Sequence, residues 1–301
     1  MKSSSTHHFP QVIFRNEEKL LWNPILKKPY KHLPEERVRL AFVEYLMLEA
    51  GVSKNRISFE SPVRLPGDKG ASRTDIVCYN EHFKPQLLVE CKAGDVSLNE
   101  KTALQIARYN QKVNAPFLLV TNGLTYYWFS RDESLLKQLS ELPIEYDSKH
   151  EINRDSEYWI KRGFLGKNSS DTVQDWAVKN SQLLYSNSDS SVHYLRFKDS
   201  QFELELANYY RIFSTGNGLN LAVAITATPK GGSTLNVVMN RQHSNVGIIS
   251  VSLDAVKNAD RENATLMNEK GITRFDAVQE LGFSFDQDAE TVFEPIARLS
   301  S

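Results

Sequence analysis

The 301-residue sequence contains few cysteines and no long apolar segment. Its two cysteines, Cys78 and Cys91, lie in predicted apolar strands, which is typical of small buried side chains in a reducing compartment. No CxxC or HxxxH spacing occurs that could form a metal cluster. No apolar run approaches the ~18–20 residues of a membrane helix, and the N-terminus shows no apolar core of a signal peptide. We therefore expect a soluble cytoplasmic protein that does not enter a membrane.

Internal repeats and the phosphate-binding patterns GxxxxGK[ST] and GxGxxG are also absent. Because a motor ATPase needs such a loop to hold its nucleotide, we expect no helicase motor within these residues. The net charge of −1 does not by itself indicate a polyanionic partner. However, lysine and arginine are concentrated over residues 27–39, whereas acidic residues outnumber basic ones over 193–301. A nucleic acid is therefore expected to meet the N-terminal half.

Hydrophobic periodicity predicts two regions. In the first, 1–180, a core over 30–130 has the order helix, three strands, helix, two strands, which is typical of a mixed α/β fold. The helices are predicted over 34–46 and 98–113, the strands over 57–63, 74–80, 86–92, 117–121 and 126–129, and a less regular helical pattern over 131–180. The turn Asn122-Gly123 is a strong hairpin signal between the last two strands.

The second region, 193–301, is β-rich and follows a predicted linker at 186–191. Strands are predicted near 202–213, 219–228, 234–240 and 246–253, and a helix near 273–281. We expect an antiparallel sheet or small barrel that forms an accessory domain. Tyr209, Tyr210 and Phe213 could stack on bases, but the acidic balance of this region favours contact with a second copy or a partner protein instead.

Charged residues end one of the predicted buried strands. Glu90 and Lys92 follow the apolar run Leu87–Val89, and side-chain alternation directs both to the same side of the strand. If the preceding strand forms a hairpin with this one, Asp75 comes within reach of both. Alone, Asp75 could be a turn residue and Glu90 with Lys92 a surface pair. Together, two carboxylates and an ammonium favour a divalent-metal site with a water-orienting group.

The order of these residues resembles the PD-(D/E)xK nuclease superfamily. More closely, the motifs resemble the N-terminal nuclease domain of type I restriction enzyme R subunits over about residues 30–130. They read Pro34-Glu35-Glu36-Arg37-Val38-Arg39, Arg73-Thr74-Asp75-Ile76-Val77, Leu88-Val89-Glu90-Cys91-Lys92-Ala93, Gln105-Ile106-Ala107-Arg108-Tyr109-Asn110 and Leu119-Val120-Thr121-Asn122-Gly123. The resemblance implies a restriction-endonuclease-like α/β core, with a mixed central sheet flanked by helices, and a second β-rich domain after it. The one departure from the motif, Thr74 in place of proline, falls at a position that varies in the superfamily.

The resemblance also implies hydrolysis of DNA phosphodiester bonds with Mg²⁺, for which Mn²⁺ can substitute, in defence against foreign DNA. Asp75 and Glu90 would bind the metal with the backbone carbonyl of Cys91. Glu36, which the motif favours over Glu35, would bind it directly or through water. Lys92 would orient or deprotonate the attacking water, or neutralise charge on the phosphate.

The remaining site predictions concern the nucleic acid. Gln105 and Tyr109, one helical turn apart, would help to hold the active site and the DNA backbone, and Arg73 could touch a phosphate. Three alternatives stay open: a catalytically silent nucleic-acid-binding module, a nuclease acting on RNA or on branched or single-stranded DNA, and a non-enzymatic assembly factor.

Overall fold

The computed structural model describes residues 4–63, 72–132, 135–146, 150–186, 192–199, 204–215, 218–242 and 244–299. The chain divides into two compact units. The first comprises Met1–Ile13 and Lys19–Ile152, and the second comprises Phe14–Glu18 and Asn153–Ser301. Most of the predicted linker at 186–191 lies outside the described residues.

The described residues of the N-terminal half form two helices and nine strands. In chain order they are β1 (Val12–Arg15), β2 (Glu18–Asn23), β3 (Lys28–Tyr30), α1 (Pro34–Leu48), β4 (Ile57–Val63), β5 (Ser72–Tyr79), β6 (Pro85–Cys91), α2 (Glu100–Val113), β7 (Phe117–Thr121), β8 (Tyr126–Asp132) and β9 (Leu135–Leu139). β1, β2 and β3 form a small sheet in that order, and β4 to β9 form a six-stranded sheet in sequence order. Every neighbouring pair in the larger sheet is antiparallel except β6 and β7, which α2 connects as parallel strands. The predicted mixed α/β fold is thus confirmed.

Two apolar clusters cover the two faces of the larger sheet. Residues of α1 such as Phe42 and Leu46 pack with Val89 on one face, whereas Ile106 of α2 packs with Leu88 on the other. Adjacent residues of β6 thus point into different clusters, as the pleat of a strand requires. The sheet is therefore flanked by helices on both faces, and its central strands β6 and β7 are mostly apolar on both sides because both sides are buried.

Local sequence signals fix the ends of the two helices. Pro34 begins α1 at the first helical position, where the missing N–H leaves no intrahelical bond unmade. Asn99 caps α2, its side-chain oxygen accepting hydrogen bonds from the backbone N–H groups of Lys101 and Thr102. Asn114 ends α2 in the left-handed conformation. Both helices therefore begin at residues that favour a helix start, and α2 ends at a residue that favours a helix end.

The described part of the second unit contains one sheet and five helices. Its elements are α3 (Ser156–Lys161), α4 (Asp171–Tyr185), β10 (Val192–Asp199), β11 (Leu204–Ser214), β12 (Leu219–Ala227), β13 (Ser233–Arg241), β14 (Ser244–Ser252), α5 (Leu253–Lys257), β15 (Ala264–Asn268), β16 (Gly271–Phe275), α6 (Ala277–Leu281) and α7 (Phe293–Leu299). β10 to β16 form a seven-stranded antiparallel sheet in sequence order. The predicted β-rich second region is confirmed as a sheet.

Three boundaries differ from the sequence predictions. The chain divides near residue 152, whereas the prediction placed the first domain at 1–180, because α3 and α4 pack within the second unit. The segment 135–139, predicted as part of a helical region, forms β9 and pairs with β8. The helix predicted near 273–281 is two elements, β16 and the short α6, whose N-cap is Asp276. In each case pairing with a neighbouring strand or helix overrides the local pattern.

Across the described residues, none of the helices combines the length and the hydropathy that crossing a bilayer requires.

Candidate active site

The β5–β6 hairpin places two buried carboxyl groups at the end of the sheet. Ile76 pairs with Val89 in the antiparallel register, so Asp75 and Glu90 are the next residues on the two strands. Only 8% of Asp75 and 4% of Glu90 is exposed to solvent. Burial raises the pKa of Glu90 to about 7, and the negative charge of Asp75 adds to this rise. The predicted hairpin is confirmed, and it brings the two acids into electrostatic contact.

Lys92 lies directly beyond β6 and completes the acid–base group. Its backbone N–H donates to the carbonyl oxygen of Thr121 at 2.8 Å, which fixes the residue beside β7. Its Nζ lies 2.6 Å from Oε1 of Glu90. Burial favours the neutral amine, but the hydrogen bond and charge of Glu90 outweigh it, and the pKa of Lys92 is raised. The side chain is therefore a charged donor at neutral pH.

Helix α2 contributes an amide and a phenol to the same network. The Gln105 Nε2 group donates to Oε1 of Glu90 at 2.7 Å and to the Tyr109 hydroxyl at 3.4 Å. The two residues are one turn apart, as their spacing predicted, and therefore share a face of the helix. Glu90 is thus held from two sides, by Lys92 and by Gln105.

Helix α1 reaches the site through an ion-pair cluster. The Arg39 guanidinium lies 2.9 Å from Oδ1 of Asp75 and 2.8 Å from Oε1 of Glu36, and it also contacts Oε1 of Glu60 at 3.4 Å. The second oxygen of Glu36, Oε2, is buried and has no hydrogen-bond partner. Burial raises the pKa of Glu36. The charge of Arg39 opposes this rise, whereas the charges of Glu60 and Asp75 add to it. Glu36 therefore joins the site with one oxygen engaged by Arg39.

The backbone of Cys91 orients the other oxygen of Asp75. The Cys91 N–H donates to Oδ2 of Asp75 at 2.6 Å. Its side chain is completely buried in the cluster on the α1 face of the sheet, and burial raises the pKa of the thiol well above its ordinary value. The sulfur is thus neutral and turned away from Glu90, so Cys91 can serve a metal only through its backbone.

Not every predicted residue joins this network, and others join it without having been predicted. Arg73 is exposed on β5. Glu35, set aside in favour of Glu36, also acts on the site. Burial is the largest cause that raises the pKa of Asp75 and of Glu90, and the charge of Glu35 makes a smaller contribution in the same direction. Arg39 ends the first quoted motif but was not predicted as a site residue, and Glu60 lies outside the motifs. The i,i+3 spacing of Glu36 and Arg39 was the one available hint.

A hard divalent cation fits the donors at this position. Among the described residues, no group of three or more histidine, cysteine, aspartate and glutamate side chains is arranged to hold a metal ion. Mg²⁺, however, commonly takes one or two carboxylates and fills its other positions with water and phosphate oxygens. Asp75 and Glu90 could supply these two carboxylates. The unpartnered Oε2 of Glu36 supplies a further hard acceptor.

The fold and the site define the class of the first unit: a restriction-endonuclease-like sheet with two acids and a lysine at the end of adjacent strands. Residues 34–143 match the model of the family described as Type I restriction enzyme R protein N terminus. The match covers a little over a third of the 301 residues and includes every predicted site residue. Comparison with curated proteins gave no match, and neither did comparison with solved structures.

Proposed function

We propose that the first unit is a Mg²⁺-dependent deoxyribonuclease that hydrolyses DNA phosphodiester bonds. The observation that carries the proposal is the network around Glu90, in which Lys92 and Gln105 both donate to Oε1 beside Asp75. The similarity to the N-terminal part of restriction enzyme R proteins supports DNA as the substrate and a role in defence against foreign DNA. No phosphate-binding motor loop occurs in these 301 residues, so the proposal concerns the hydrolysis of DNA and not its translocation.

Asp75 and Glu90 would hold the metal, together with the backbone carbonyl of Cys91. Glu36 would bind the metal directly or through water with its uncommitted Oε2, since its Oε1 pairs with Arg39. When bound, Mg²⁺ or Mn²⁺ supplies positive charge that stabilises the charge developing on the phosphate. Carboxylate oxygens in a buried position suit such a hard cation.

Lys92 would orient the attacking water and offset charge on the scissile phosphate. Its raised pKa favours the charged ammonium, so it supports these two roles over removal of a proton from water. Gln105 would keep the carboxylate of Glu90 turned toward the metal. Tyr109 and the exposed Arg73 would contact the DNA backbone.

The test is a cleavage assay of the full chain. Plasmid, linear duplex, single-stranded DNA and RNA are incubated with Mg²⁺, Mn²⁺ or EDTA. Lys92→Ala and Asp75→Ala should each lower the cleavage rate about 10²–10⁴-fold, as expected for groups that act on the reacting centre. Lys101→Ala and Asp132→Ala, at exposed positions of the same unit, serve as matched controls.

Each outcome separates the proposal from its alternatives. Equal cleavage by wild type and by the Lys92 and Asp75 variants would contradict the site assignment. Binding of DNA without cleavage under any metal would favour the catalytically silent module. Preference for RNA or for single-stranded DNA would move the activity to the alternative substrates. Contact of the 193–301 region with a partner protein or a second copy stays a prediction.

A further inference from the structure

Arg39 is a buried cation at the centre of an acidic cluster. It is 8% exposed and contacts Asp75, Glu36 and Glu60 through its terminal nitrogens. The guanidinium carbon also lies 5.3 Å from the centre of the Phe59 ring. A charge taken out of water is costly unless it is paired, and the planar guanidinium can contact several carboxylates at fixed angles. The position of Arg39 is therefore determined from several sides at once.

Glu60 reaches Arg39 because β4 is irregular at that point. Phe59 pairs with Ile76 and Ser61 pairs with Thr74, so the register is unchanged and Glu60 lies opposite Asp75. Its φ of 53° lies in the left-handed region, which a side chain other than glycine rarely adopts. Residues held in such sparsely populated backbone conformations are concentrated at active sites. The irregular backbone thus accompanies a carboxylate placed on Arg39.

A tyrosine holds Glu60 in place. The Tyr30 hydroxyl donates to Oε2 of Glu60 at 2.7 Å, which leaves Oε1 directed to Arg39. These contacts link Tyr30 to Glu60, Glu60 to Arg39, and Arg39 to Asp75. At its end, Asp75 is gripped by Arg39 at Oδ1 and by the Cys91 N–H at Oδ2.

This double grip sets the orientation of the Asp75 carboxylate. One donor on each oxygen prevents rotation about the last side-chain bond. Each carboxylate oxygen has a second acceptor site, so both remain able to take another ligand. A metal ligand held in this way loses no rotational freedom when it binds.

We propose that Arg39 is a positioning residue that fixes Asp75 for metal binding, with Glu60 and Tyr30 holding Arg39 in turn. The inference deepens the proposed function and rests on its assignment of Asp75 as a metal ligand. A role of Arg39 as a nearby charge and a role in positioning Asp75 predict opposite changes in metal affinity when Arg39 is replaced. If Arg39 mattered only as a nearby positive charge, its removal would tighten the binding of a cation. If it positions Asp75, its removal weakens that binding.

The test measures Mn²⁺ binding to the full chain by titration calorimetry. Arg39→Lys keeps the charge but loses the planar contacts, and Arg39→Met loses both. We expect each to bind Mn²⁺ about 10–100-fold more weakly, since this is the usual cost of losing a residue that orients a metal ligand. Arg274→Met, which removes an exposed arginine paired with Glu262, is the matched control and should bind as wild type.

Milder variants separate positioning from folding. Glu60→Gln and Tyr30→Phe leave Arg39 itself intact and should weaken Mn²⁺ binding in the same direction by smaller factors. Circular dichroism checks that each variant is folded. Cleavage by Arg39→Lys should recover toward the wild-type maximal rate at high Mn²⁺, because the defect lies in metal affinity. Cleavage by Lys92→Ala should not recover.

Two results would overturn the inference, and they are distinguishable. Unchanged or tighter Mn²⁺ binding in folded Arg39, Glu60 and Tyr30 variants, with binding lost in Asp75→Ala, overturns the positioning role alone. Absence of Mn²⁺ binding by wild type, or unchanged binding in Asp75→Ala, overturns the metal assignment of the proposed function and the positioning role with it.

Discussion

Replacing Glu90 with glutamine should stabilise the protein in the absence of metal, and by more as the pH rises. Burial, with the charge of Asp75 added, raises the pKa of Glu90 from the ordinary 4.5 to about 7. The folded state therefore binds this proton more tightly than the unfolded chain does. Stability contributed by the protonated group is fully present below pH 4.5 and is lost as the pH rises through 7. Glutamine is neutral at every pH, so the variant does not lose this stability as the pH rises.

The magnitude follows from the size of the shift. One pKa unit corresponds to 1.36 kcal/mol, so the shift of Glu90 sets a ceiling of about 3 kcal/mol in the free energy of unfolding. We expect roughly 1–3 kcal/mol at pH 8 and almost no difference at pH 4. The amide oxygen of glutamine can still accept the hydrogen bonds that Lys92 and Gln105 donate to Glu90 Oε1. The variant thus removes the charge and keeps the contacts.

The measurement is urea unfolding of wild type and Glu90→Gln in EDTA between pH 4 and 8. Glu141→Gln, at an exposed position of the same unit, is the control and should show no such trend. A difference that does not change with pH would refute the reasoning. So would a Glu90→Gln protein less stable than wild type at pH 8. Either result would mean that Lys92 and Gln105 compensate the buried carboxylate fully.

Three further predictions concern packing and capping. Trp128→Ala should lower the free energy of unfolding by about 3–5 kcal/mol, because the indole is buried in the first core, and urea unfolding with the exposed Leu124→Ala as control checks this. Gly166→Ala should lower the melting temperature of the second unit, at a cost of about 1–3 kcal/mol, since its Cβ would come 2.3 Å from the Gly231 carbonyl oxygen. Asn99→Ala should cost about 1 kcal/mol by uncapping α2, whereas Asn99→Asp should cost far less, as thermal unfolding can show.

Much of the first sheet could be predicted because its signals are local. The apolar runs of β6 and β7 and the proline that begins α1 appear in short windows of sequence. The strand β9 gave no such signal. Its residues Leu135 and Leu136 are exposed, so no alternation of buried and solvated positions marks the strand, and only pairing with β8 defines it.

Some residues of the site could likewise be predicted from local signals, and others could not. Asp75, Glu90 and Lys92 could be found because they interrupt apolar strands that a hairpin brings together. Arg39 and Glu60 could not, because their contact depends on the left-handed backbone of Glu60 in β4 and on the packing of α1 against the sheet. No spacing in the sequence reveals that the backbone conformation of one strand residue will turn its carboxylate toward a helix.

The strictly sequential strand order of both large sheets has a consequence for how the protein is made. Each strand pairs with the one synthesised just before it, so every new strand can dock on a template that has already left the ribosome. Short sequence separations between paired strands also keep the entropic cost of loop closure small. All residues of the candidate site precede residue 110. The first unit, which extends to Ile152, can therefore fold while the second sheet is still being translated.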